Sequence, residues 1–99
     1  MFIDPLSVNG DMFIIIVYDI KEERVQKAHK ICRKYLTWVQ RSVFEGEITE
    51  GNFLKLIKEI RSIIDENYDS VLIYKFRTKN YYEREVIGIP KPSHEDFIY

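Results

Sequence analysis

Four strand-like segments and two amphipathic helices in the order β-α-β-β-α-β predict an α+β domain with both helices on one face of an antiparallel sheet. Three observations carry that reading. The apolar run Phe13-Ile14-Ile15-Ile16-Val17 closes in Tyr18-Asp19-Ile20. Two later segments repeat their apolar residues at helical spacing, and each is followed by a β-branched or aromatic stretch. A chain of 99 residues buries roughly 60–65% of its unfolded surface, enough for one two-layer core.

The elements follow in chain order. Strand one is Met12–Asp19, a β-branched run read as buried on both faces. Helix one spans about Glu22–Leu36, with Val25, Ala28, Cys32, Tyr35 and Leu36 on one face. Glu22 and Glu23 in its first turn and Arg33 and Lys34 in its last complement the helix dipole. Trp38–Phe44 reads as strand two, and Glu45-Gly46-Glu47-Ile48 as a turn or bulge entering a short strand three. Thr49 is the expected N-cap of helix two, about Glu50–Glu66, whose stripe is Phe53, Leu56, Ile57, Ile60, Ile63 and Ile64. Asn67 and Asp69 end it, and Ser70–Phe76 is strand four. This is the split βαβ order of ferredoxin-like folds. A further strand, about Arg84–Ile89, exceeds the four the fold needs and predicts completion of a neighbour's sheet edge, hence a homodimer.

Residues 12–89 therefore form the domain. Residues 1–11 hold Pro5, Asn9 and Gly10 without a period and read as an N-terminal extension, disordered or added upstream of the natural chain. Residues 90–99, ending in Phe97-Ile98-Tyr99, read as a tail for an interface or partner docking. Neither a signal peptide nor a membrane span is expected, because the start is acidic and the apolar run is short. The single cysteine, Cys32, excludes an internal disulfide, lies on the apolar stripe and suits a reducing cytoplasm.

A formal net charge of −1 conceals an uneven distribution. Residues 21–41 carry seven cations against two acids, and residues 45–69 carry seven acids against three cations. Arg24, Lys27, Lys30 and Arg33 or Lys34 recur at helical spacing opposite the apolar stripe. That pattern is a solvated helix face or a salt-sensitive phosphate-binding face. Asp19 is the only acid in the strand-one run and sits where a strand meets solvent, which suits a metal ligand or catalytic group. One carboxylate makes a poor metal site, so a shared ion calls for a second Asp19 across a two-fold axis. A bulge would aim Arg41 or Ser42 at the same strand end, for phosphate contacts. Phe44 is read as core or dimer interface, with interface preferred. Trp38, Tyr74, Tyr81 and Tyr82 are read as packing residues, and His29 and His94 as surface residues.

Together, Tyr18-Asp19-Ile20, Val39-Gln40-Arg41-Ser42-Val43-Phe44-Glu45-Gly46-Glu47 and Asp69-Ser70-Val71-Leu72-Ile73-Tyr74 resemble the CRISPR-associated Cas2 family over about residues 12–89. The resemblance implies a ferredoxin-like fold and a homodimer in which the last strand packs on the partner. It implies a role in spacer acquisition, bridging the integrase subunit and holding duplex DNA. It also implies Mg²⁺- or Mn²⁺-dependent endonuclease activity on single-stranded RNA or duplex DNA. On this resemblance Asp19 is the metal ligand, Tyr18 and Ser42 flank the catalytic site, Phe44 lies at the site or interface, and Arg24 is the helix-one phosphate ligand. Lys27 and Arg41 complete the nucleic-acid-binding set. Where some members carry Arg before the Val-Gln pair, this chain has Trp38. A non-catalytic scaffold bridging integrase dimers is the alternative, and a toxin-type ribonuclease of related fold is a third.

Overall fold

The computed structural model describes residues 11–77 and 85–89. The elements are β1 (Asp11–Asp19), α1 (Glu22–Tyr35), β2 (Thr37–Gln40), β3 (Val43–Thr49), α2 (Glu50–Ile63) and β4 (Ser70–Phe76). The sheet order is β2-β3-β1-β4, with every neighbouring pair antiparallel. This is the ferredoxin-like arrangement that the sequence predicts.

The period of two along β1 divides the molecule. Met12, Ile14 and Ile16 are fully buried and Tyr18 nearly so. They meet Ala28 and Cys32 of α1, Phe53, Leu56 and Ile60 of α2, and Trp38, Phe44 and Ile48 of the neighbouring strands. The alternate residues Phe13, Ile15 and Val17 are only half-buried, on the opposite face. Their β4 partners are Phe76, Tyr74 and Leu72, and the last two are 51% and 55% exposed. The expectation that β1 is buried on both faces is corrected, because both helices pack on one side.

Local signals explain the helices. Thr49 Oγ1 accepts from Asn52 N at 3.1 Å and starts α2. Leu36, in extended conformation, ends α1. The helices also meet through Glu59 of α2, which accepts hydrogen bonds from Lys34 and Tyr35 of α1. That pairing holds the Glu59 carboxyl below the usual range.

Three expected boundaries move. The turn between β2 and β3 is Arg41-Ser42, with Gln40 opposite Val43, rather than Glu45–Gly46. Gly46 instead sits inside β3 opposite Ile14, and a Cβ there would lie 3.4 Å from the Leu36 side chain. Helix α2 ends at Ile63, three residues early, because Ile64 is extended and Asp69 captures the next backbone N–H. Glu85–Ile89 is irregular and exposed, with Ile87 97% exposed and Gly88 at φ +96°, so the expected fifth strand is not formed there. A strand needs a ladder partner, and these residues have none among the described ones. Arg84, Tyr81, Tyr82, His94 and the terminal segments 1–10 and 90–99 lie outside the described residues.

Candidate functional site

The end of β1 brings the candidate residues to one end of the sheet but onto two faces. Tyr18 points into the helix-covered core, 5% exposed. Its ring stacks on Phe44 at 6.2 Å between centroids, and its hydroxyl meets His29 Nδ1 at 3.2 Å. Burial pushes the phenol well above its ordinary range, and the positive charge of Arg33 opposes that. Asp19, the next residue, is exposed on the other face, opposite Ser70 of β4. A pleat therefore separates the two.

The Arg41-Ser42 turn lies at this same end. Tyr18 N donates to the Ser42 carbonyl at 3.1 Å, and Trp38 Nε1 donates to the Arg41 carbonyl at 2.8 Å. Arg41 itself takes φ +45°, a left-handed conformation uncommon for a side-chain-bearing residue. The two hydrogen bonds fix both carbonyls of the turn and so hold Arg41 in place. Beside it opens a cleft of about 520 Å³ lined by Tyr18, His29, Lys30, Arg33, Arg41 and Ser42, together with α1 residues Val25 and Gln26.

Arg24 has a different occupation from the one expected. Its Nε and Nη2 donate to the two carboxylate oxygens of Asp69 at 2.6 and 3.0 Å. Asp69 also accepts from Lys21 N and Asp65 N, each at 2.9 Å. The side chain of Asp69 is fully buried. The Arg24 guanidinium, helped by those two backbone donors, holds its carboxyl far below the usual range. A fork engaged in this way is a structural clamp joining the start of α1, the end of α2 and the start of β4. Lys27 is exposed and forms no ion pair among the described residues.

Phe44, expected at an interface, is fully buried within the protomer core and presents no surface to a partner. His29, expected on the surface, is half-buried and edge-on to Trp38 and Phe44, at 5.2 and 5.0 Å between centroids. Sequence reasoning missed this role of His29 and the clamp role of Asp69. Cys32 is buried, and burial pushes its thiol up to about 12, consistent with a packing role. No group of three His, Cys, Asp or Glu able to hold a metal exists among the described residues. The described residues of one protomer therefore do not by themselves fit a metal ion, and Asp19 would need a second carboxylate beside it.

The profile of the family described as CRISPR associated protein Cas2 matches residues 12–84, which include both faces of this site. The chain belongs to the Cas2 family. A CRISPR-associated endoribonuclease Cas2 of Dictyoglomus turgidum is 47% identical over 87 residues, covering 88% of this chain and all of the relative. The protein of the same description from Pyrococcus furiosus is 48% identical over 87 residues, with the same coverage of both chains. A crystal structure described as Cas2 superimposes with a TM-score of 0.76 at 43% identity, covering 82% of this chain and 91% of that one. The Cas2 fold is thus present over nearly all the described residues. None of the helices among them is long and apolar enough to cross a membrane.

Proposed function

We propose that this Cas2-family chain acts in CRISPR spacer acquisition as a cytoplasmic homodimer that grips nucleic acid and partners the integrase subunit. We further propose that Asp19 from two copies shares one Mg²⁺ or Mn²⁺ for phosphodiester cleavage. The observation that carries the reading is the exposed carboxylate of Asp19, at the end of β1, on the sheet face that no described helix covers. Pairing two chains by that face would bury the exposed Leu72 and Tyr74 and bring two Asp19 carboxylates together. Two facing carboxylates repel, so a cation between them is both the partner they require and a Lewis acid for a phosphate. The relatives' description as endoribonucleases supports cleavage of RNA.

The chain's own residues divide the remaining work. Arg41 and Lys27 supply positive charge to a phosphate backbone. Tyr18 and Ser42 act as positioning residues: their backbone hydrogen bond ties the β2–β3 turn to the end of β1. Arg24 holds Asp69 instead of nucleic acid.

The test is a nuclease assay on single-stranded RNA and duplex DNA with Mg²⁺, Mn²⁺ or EDTA, comparing wild type with Asp19→Asn. Metal-dependent cleavage that the variant loses is the expected result. Cleavage indifferent to Asp19 would remove the metal site from the reading. The scaffold alternative draws support from the engagement of Arg24 by Asp69. It predicts spacer uptake that survives Asp19→Asn and fails when residues 90–99 are deleted.

A further inference from the structure

We propose that the cleft between α1 and the β2–β3 turn is a second, metal-independent site that holds a phosphodiester of a bound nucleic-acid strand. The proposal rests on the nucleic-acid-binding reading above and assigns it a place separate from Asp19. The first argument is charge. Lys30, Arg33 and Arg41 line the cleft, and no carboxylate among the described residues does. Three cations elsewhere are already neutralised: Arg24 is paired with Asp69, Lys34 with Glu59 and Arg77 with Glu50. Lys30, Arg33 and Arg41 form no ion pair among the described residues. Three like charges around one concavity repel one another, and an anion between them removes that repulsion.

The second argument is shape and rigidity. A volume of about 520 Å³ accepts a phosphate with its flanking sugars. The uncharged polar part of the wall is Ser42 and Gln26 with the Tyr18 hydroxyl and the His29 ring it meets at 3.2 Å. The His29 ring is held edge-on by Trp38 and Phe44. Arg41 is kept in its left-handed conformation by hydrogen bonds to both turn carbonyls. A backbone held in a sparsely populated region by its surroundings is a pre-organised one. The cleft lies on the helix side of the sheet, whereas Asp19 faces the opposite side. A strand that reaches both must pass around the sheet end over Arg41.

The experiment has two arms on the full-length protein. In the first, fluorescence anisotropy measures binding of a duplex DNA and a single-stranded RNA across a salt series in EDTA. Wild type is compared with the Arg33→Gln/Arg41→Gln double variant, and with Lys55→Gln/Lys58→Gln on α2 as the charge-matched control. Loss of the one phosphodiester contact that the double variant removes should weaken binding roughly eightfold at about 0.1 M salt and flatten the log–log salt slope by about 0.9. The control should change less on both counts. In the second arm, inorganic phosphate is titrated while the His29 ring signals are followed by NMR. Saturable shifts that vanish in the Arg33→Gln/Arg41→Gln variant are expected.

Wild type that binds strands with a slope and affinity unchanged by the double variant overturns the cleft. So does a His29 signal that phosphate leaves unmoved. Wild type that binds no strand while phosphate still moves His29 overturns the nucleic-acid reading and leaves a phosphate site. The two failures are therefore distinguishable.

Discussion

Truncating Phe44 tests whether its ring is core or interface, because the two roles predict different concentration dependence. The ring is fully buried, stacked on Tyr18 and edge-on to His29, in a strand position opposite Ile16 and Trp38. Phe44→Ala removes a whole aromatic side chain from that cluster and leaves a cavity that strands on both sides hold open. Such a change costs about 3–5 kcal/mol. In a domain of this size each kcal/mol lowers Tm by roughly 4–8 °C. Phe44→Leu keeps part of the volume and should cost less, which provides a folded variant if Ala proves too severe. The assay is urea unfolding at several protein concentrations spanning the monomer–dimer range. A core ring predicts the same gap between wild type and variant at every concentration, with the slope m unchanged. A loss below about 1 kcal/mol would refute the packing argument, since it falls outside the cavity range for a buried aromatic. A gap that widens with protein concentration would refute it as well, since that is the signature of an interface residue.

Two more outcomes follow from the buried groups. The Asp69 carboxyl titrates far below its unfolded value of about 3.9, so the stability it contributes is complete above that pH and is lost as pH falls below it. Asp69→Asn should lower thermal stability at neutral pH and flatten the acid limb of a Tm-against-pH curve below about pH 4; an unchanged limb would refute the clamp. The Cys32 thiol, pushed up to about 12 by burial, should resist a thiol reagent at about pH 8 in the native protein and react promptly in denaturant; rapid native labelling would show that the α1 stripe is not packed as described.

The helices and the first strand were legible because their signals are local. Thr49 caps at three residues' distance, and the stripe of α2 repeats within itself. What escaped depends on partners remote in sequence or on conformation that composition does not encode. Asp69 sits where a helix ends, and only its pairing with Arg24, 45 residues away, makes it a clamp. The turn at Arg41-Ser42 was masked because arginine is not a usual left-handed residue, while Gly46 offered a conventional turn signal. The glycine is explained instead by the close approach of Leu36. The unbroken apolar run of β1 disguised its alternation. With Tyr18 inside, the period of two already puts Asp19 on the other face with Ile15 and Val17. His29 lies at the edge of the α1 stripe, and its place depends on β2 and β3 rings that helical spacing does not report.

That alternation has a consequence for how the chain can change length. Tyr18 and Asp19 are adjacent, yet one completes a hydrophobic interior and the other serves solvent. Deleting or inserting one residue between Met12 and Val17 would put the two sides of the change out of phase: either Tyr18 and Asp19 exchange faces, burying a carboxylate and releasing a phenol, or the core residues on the N-terminal side turn outward. Chemistry or packing would fail in a single step. Indels in β1 should therefore be tolerated only in pairs, whereas the turn at Asn67 faces no such parity rule.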